Sequence, residues 1–240
     1  MTASFAITAD ELTVGYGAQP IVGRLSFDLG PGALMCLIGT NGSGKSTLLK
    51  TIAGLIRPVE GAVEVLGAAP GTQPARVAYL AQRSPSSFTL PIRAADVVSM
   101  GRFAHLGLVR RTSAIDRGVC DEAMQRMGVT PFAHRPLLEL SGGQQQRTYL
   151  AQVLARQADL LLLDEPTAGL DPAGRELIGT ALAAERARGS AVVMATHDLA
   201  DAEGADVVLL LAGRLIAIGA PAEVLTDEHL RASFGFTGRH

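Results

Sequence analysis

Nine consecutive residues, Gly39, Thr40, Asn41, Gly42, Ser43, Gly44, Lys45, Ser46 and Thr47, combine glycines, hydroxyls and one lysine at the spacing of a phosphate-binding loop. Glycines let successive backbone N–H groups curl around an anion, and a helix opening at Lys45 adds uncompensated donors and the positive end of its dipole. Lys45 is a compact charge able to reach between β- and γ-phosphates, and the Ser46 hydroxyl suits a Mg²⁺ ion. A chance glycine-rich turn is the plain alternative; the apolar segment before the loop and the helical pattern after it reject that reading. Lysine is otherwise scarce, because Lys45 and Lys50 are the only two among 21 basic residues.

Residues 160–166 are four leucines followed by Asp164, Glu165 and Pro166. They read as an apolar strand ending in two carboxylates that point to opposite sides of an extended backbone. Asp164 is suited to the Mg²⁺ shell, and Glu165 to orienting or deprotonating a water beside the γ-phosphate. Ordinary solvation of a strand end is the bland alternative. At 140–147, Ser141 reads as a helix N-cap, which needs no further function. Gly142 and Gly143 directly behind it permit close backbone approach and a second anion-binding helix start.

These residues need elements to hold them. Phe5, Ile7, Leu12 and Val14 suggest two short strands, and 21–29 continue an antiparallel opening. The apolar run 32–38 reads as a strand buried on both faces, leading into the glycine loop and a helix from Lys45 that stops at Gly54 and Pro58. Short strands follow around Val63 to Val65 and at 77–80. Residues 91–100, 115–127 and 142–157 read as helices without strands between them, a helical insert. Strands return at 160–163, 191–195, 207–211 and 215–218, with a helix at 174–188 and a brief helical tail after Pro221. The expected fold is α/β, a P-loop NTPase core with an N-terminal antiparallel β subdomain and an inserted α-helical subdomain. One domain spans 1–240, with 1–89 and 158–240 as core plus β subdomain and 90–157 as the insert.

The 240 residues are 48% apolar and 18% charged, which excludes a disordered chain and a disulfide-stapled miniprotein. The longest apolar runs, 207–212 and 160–163, fall far short of the roughly 18 residues that span a bilayer. Asp10 and Glu11 interrupt any secretory segment, so a cytoplasmic chain is expected, with Cys36 and Cys120 as buried free thiols. A net charge of −2 gives no drive toward nucleic acid.

Together the segments 39–47, 140–147 and 160–166 resemble the Walker A, signature and Walker B motifs of the ATP-binding cassette (ABC) ATPases, and the resemblance covers nearly the whole chain. It implies a head-to-tail homodimer in which the Walker A loop of one protomer and Ser141, Gly142 and Gly143 of the other close on one ATP. It also implies that Tyr16 stacks on adenine, Gln82 senses Mg²⁺ and water, Asp171 belongs to the nucleotide site, and His197 contacts the γ-phosphate. Each has a plain alternative: an exposed strand-end aromatic for Tyr16, a helix-capping neighbourhood for His197. Thr40 replaces the family's usual proline, and Ala168 and Gly169 replace a commoner Ser-Ala; neither removes a ligand.

Within that family, the chain is similar to the separate motor subunit of a bacterial importer, seated at the cytoplasmic face of the membrane against a transmembrane permease and served by an extracytoplasmic substrate-binding protein. Residues 97–107 resemble metal, siderophore, haem and cobalamin importers, and 110–117 with 128–135 resemble the zinc/manganese branch. Arg93, Arg102, Arg110, Arg111 and Arg117 cluster in the insert, either as a solvated face or as a permease-docking groove. Histidines 105, 134, 197, 229 and 240 show no paired ligand spacing, so the cargo metal is expected to pass through the partner. A soluble ABC protein acting on DNA or ribosomes, and a generic P-loop kinase, are the competing classes.

Overall fold

The computed structural model describes residues 5–82, 92–106 and 111–235. Its strands are β1 (Ile7–Tyr16), β2 (Gln19–Leu29), β3 (Leu34–Gly39), β4 (Glu60–Val65), β5 (Val77–Leu80), β6 (Leu160–Asp164), β7 (Ala191–Thr196), β8 (Val207–Leu211) and β9 (Leu215–Gly219). The helices are α1 (Lys45–Ile52), α2 (Ala94–Ser99), α3 (Phe103–Leu106), α4 (Ala114–Arg126), α5 (Gly142–Ala155), α6 (Pro172–Ala187), α7 (Leu199–Glu203), α8 (Pro221–Val224) and α9 (Asp227–Phe234).

Among the described residues the strands form two sheets. One is antiparallel, in the order β2-β1-β4; the other runs β5-β6-β7-β3-β8-β9, parallel except where β8 meets β9. The two strands expected between Phe5 and Val14 are one. β1 passes through an irregularity at Glu11, whose φ is 47°, and resumes pairing at Leu12. A bulge absorbs the extra residue without ending the strand.

Alternation along the central strands divides the core. Leu160 and Leu162 of β6 pack with α1 and the antiparallel sheet, while Leu161 and Leu163 face a cluster containing Leu150, Leu154 and Ile178. Helices α2, α4 and α5 therefore share their apolar cluster with the central sheet. Helix α4 opens on a capping box in which Ser113 and Asp116 satisfy each other's backbone N–H groups. The expected start of the insert at 90, and its first helix from Pro91, fall outside the described residues; from 94 onward the helix is there as α2.

Arg102 fits neither reading of the arginine cluster. Its guanidinium is buried, 3.0 Å from the Asp116 carboxylate, and also donates to the Ala155 carbonyl at 3.1 Å. It is a structural pin between α5 and the start of α4. Arg93, Arg111 and Arg117 are exposed, and Arg110 lies outside the described residues. Cys36 and Cys120 are buried free thiols, as expected. No helix among the described residues is long and apolar enough to cross a membrane.

Candidate nucleotide site

At the C-terminal end of β3 the chain must turn sharply to start α1, and two glycines make that possible. Gly39 has φ 157°, and a Cβ there would drive into the Leu211 carbonyl oxygen. Gly44, the N-cap of α1, has φ 104°, and its Cβ would collide with Val22. With glycine as cap and no acidic residue in the first turn, the N–H groups that open α1 have no side-chain acceptor. That end of the helix is left for an anion.

A cleft of about 430 Å³ lies over the loop. Asn41, Gly42, Ser43, Gly44, Lys45, Ser46 and Thr47 form its floor, and Tyr16, Ile21, Gln82 and Glu165 its walls. The volume lies within the range of small-molecule sites. Lys45 is 6% exposed and folds back to donate to the carbonyls of Gly39 at 2.6 Å and Thr40 at 3.0 Å. Burial lowers its proton affinity, while Glu165 and Asp164 act in the other direction.

Three buried oxygens at the loop and the β6 end lack hydrogen-bond partners among the described residues: Ser43 Oγ and both carboxylate oxygens of Asp164. Orphaned buried acceptors are rare and point to a missing ligand. Alternation along β6 puts Asp164 on the same face as Leu160 and Leu162, the face that carries α1. Burial raises the Asp164 pKa, and nearby Glu165 adds to this. The neighbouring Ser46 hydroxyl, Lys45 charge and Gln82 backbone oppose it without closing a hydrogen bond to either oxygen. The donor set fits a hard divalent cation held by a carboxylate and a hydroxyl.

Glu165 departs from the expected extended geometry. Its φ is 51°, so the backbone turns at this residue and β6 ends at Asp164, before Pro166. The turn is fixed by Glu165 N–H donating to the Ala195 carbonyl at 2.9 Å, and by Gln146 Nε2 reaching the carbonyls of Pro166 at 2.9 Å and Glu165 at 3.5 Å. The Glu165 side chain thereby stays at the cleft wall, with His197 Nδ1 3.8 Å from its Oε1. Glu165 is 15% and His197 67% exposed at the side chain.

Tyr16 ends β1 at the cleft and is 49% exposed, and Lys50 Nζ lies 3.3 Å from its hydroxyl. The ring is tethered at its tip and open on its face, suited to stacking. The remaining expected residues lie elsewhere. Ser141 caps α5, accepting from Gln144 N–H at 3.3 Å, while Gln144 Oε1 accepts from Ser141 N–H at 2.9 Å. Gly143 sits against Leu170, and Asp171 caps α6 by accepting from Gly174 N–H at 2.9 Å. Neither Ser141, Gly142, Gly143 nor Asp171 lines the cleft of its own chain. Sequence reasoning gave no role to Gln146, Thr167, Thr196 and Asp201 around the turn at Glu165; Gln146 lies within the 140–147 segment, one helical turn beyond Gly142, and the other three carry no motif of their own.

A parallel sheet carrying a glycine loop before α1, an acidic strand end beside it and a helical insert between β5 and β6 define a nucleoside triphosphatase of the phosphate-loop class. The chain belongs to the ABC transporter family, whose model matches residues 22–168, and is an ATP-binding, ATP-hydrolysing subunit that powers transport. It is 38% identical to the manganese transport system ATP-binding protein MntB of Bacillus subtilis (strain 168), over 96% of this chain and 93% of that protein. It is 39% identical to the zinc transport system ATP-binding protein TroB of Treponema pallidum (strain Nichols), over 97% and 88%. A solved structure, an inward-facing conformation of a putative metal-chelate type ABC transporter, superposes with a TM-score of 0.83 at 31% identity, covering 96% of this chain and 89% of that one.

Proposed function

We propose that this chain is the motor of a divalent metal importer, of the zinc or manganese kind, and that two copies close head to tail around two ATP molecules. The observation that carries the dimer is the exposed start of α5: Ser141 and Gly142 lie outside the cleft of their own chain, so a second copy is needed to bring them to a nucleotide. Similarity to the manganese and zinc proteins over almost their whole length supports the cargo class. The chain would sit at the cytoplasmic face of the membrane against a permease, with a substrate-binding protein on the far side and no nucleic-acid partner. The core at 1–89 and 158–240 would hold the nucleotide, and the insert at 90–157 would present the signature residues.

Lys45 and the loop N–H groups hold the β- and γ-phosphates, and Tyr16 carries the adenine. Ser46, Asp164 and Gln82 would hold Mg²⁺, which neutralises phosphate charge when bound. Glu165 orients the attacking water and accepts its proton, while His197 donates to the γ-phosphate. Asp171 and the facing Ser141, Gly142 and Gly143 complete the site in the closed dimer.

Glu165→Gln tests this reading. Hydrolysis should fall about 10²- to 10⁴-fold, while ATP stays bound and the chain sediments as a dimer. A variant that remains monomeric at saturating ATP would refute the shared site. Uptake assays of the assembled transporter with manganese, zinc or chelated iron decide the cargo; uptake restricted to chelated iron would favour the siderophore, haem or cobalamin alternative, which the metal-chelate neighbour keeps in view.

A further inference from the structure

Behind the central sheet, on the face away from the phosphate loop, one carboxylate oxygen joins the two segments that carry Glu165 and His197. Asp201 Oδ2, on α7, accepts from Thr196 Oγ1 at 2.8 Å and from Thr167 Oγ1 at 3.1 Å. Thr196 immediately precedes His197, and Thr167 follows Glu165 by two residues. The Thr196 hydroxyl also accepts from Asp198 N–H at 3.0 Å, which fixes the backbone just beyond His197. Asp201 is itself anchored, since its carbonyl accepts from the Cys36 thiol of β3 at 3.4 Å.

We propose that Asp201 is a positioning residue for hydrolysis, a clamp that sets the separation of Glu165 and His197. The proposal rests on the reading that this pair carries the chemistry. Thr196 is 2% exposed, so its hydroxyl proton has no water to turn to. Hydrogen bonds from hydroxyls to a carboxylate are short and strong compared with neutral pairs. The β6–β7 ladder ends with Asp164 beside Ala195 and Glu165 N–H donating to the Ala195 carbonyl, so beyond that point Asp201 ties together Thr167 and Thr196. The 3.8 Å gap between Glu165 and His197 is wider than a hydrogen bond, so a small shift of either segment alters how the pair addresses a water or phosphate. A misplacement of about 1 Å from a distant change costs about a hundredfold in rate.

The test measures ATP hydrolysis and ATP affinity of the full chain. Asp201→Ala should lower kcat by about tenfold to a hundredfold and leave ATP affinity within about twofold. Asp201→Asn keeps a carbonyl oxygen for both hydroxyls and should recover most of the rate. Thr167→Val, nearly isosteric, should lower kcat in the same direction and carries the test if Asp201→Ala does not fold. In a His197→Ala background, Asp201→Ala should cost less than about threefold further. Wild-type kcat in Asp201→Ala overturns the clamp, as does an equal loss in both backgrounds with no recovery by asparagine. If His197→Ala itself hydrolyses at the wild-type rate, the reading of His197 fails. The single Asp201→Ala variant still decides the clamp then, acting on Glu165 alone.

Discussion

The Glu165 carboxylate stands 3.8 Å from Nδ1 of His197, although the two residues come from the ends of adjacent parallel strands, β6 and β7. The pairing of Asp164 with Ala195 sets the strand ends level, and the left-handed turn at Glu165 keeps its side chain at the cleft. In the proposed function the two groups act on one reacting centre. His197→Ala should therefore lower kcat by about a hundredfold with little change in ATP affinity. Combining it with Glu165→Gln should cost much less than the product of the single losses, measured by single-turnover hydrolysis.

Lys45 has its charge buried at the loop, where it donates to the carbonyls of Gly39 and Thr40. Lys45→Ala should weaken ATP binding by at least about tenfold, because a charge-assisted bond to phosphate contributes roughly 1.5–3 kcal/mol. Equilibrium titration with a fluorescent ATP analogue measures it.

Tyr16 presents a ring face to the cleft, and stacking of a base on an aromatic contributes roughly 1–3 kcal/mol. Tyr16→Ala should raise the KM for ATP about tenfold with kcat nearly unchanged. Tyr16→Phe loses the contact to Lys50 but keeps the face, and should behave as wild type in the same steady-state assay.

Asp116 is held well below the usual carboxylate range, first by the Ser113 hydroxyl, then by the Ser113 backbone and by Arg102. A folded-state pKa below the unfolded value of about 3.8 means that the stabilisation is present above pH 4 and is lost as pH falls further. Acid unfolding followed by circular dichroism should steepen below pH 4. Asp116→Asn should flatten that acid limb while lowering stability at neutral pH, where Arg102 loses its partner.

Burial pushes the Cys36 thiol up to about 12, with the charge of Asp201 adding to the effect. Native protein at pH 8 should leave this thiol unreactive toward a disulfide reagent, because the thiolate is the nucleophile. Both thiols should react at once in denaturant, as counted by absorbance.

Local chemistry was legible because it depends on residue type over short spacings. The glycine loop, the acidic strand end and the 3.6-residue pattern of α5 each declare themselves within about ten residues, and strands β5 and β8 fall at 77–80 and 207–211 as the alternation predicts. The insert's arginines were less legible, since whether Arg102 meets water or Asp116 depends on how α5 packs on α4.

By itself, the sequence determined a glycine-rich turn at 39–47 between β3 and α1 and two adjacent carboxylates where β6 stops, Asp164 inside the strand and Glu165 just past it, because backbone freedom at glycine and apolar burial act over a few neighbours. Tertiary structure alone decided that β1 runs through its bulge as one strand, that Glu165 turns out of the extended path, and that Asp201 gathers Thr167 and Thr196. It also decided that Ser141 and Gly142 lie exposed, outside the cleft beside Lys45. Those relationships join residues tens of positions apart, and only the packing of strands, helices and their side chains on both faces of one sheet fixes such distances.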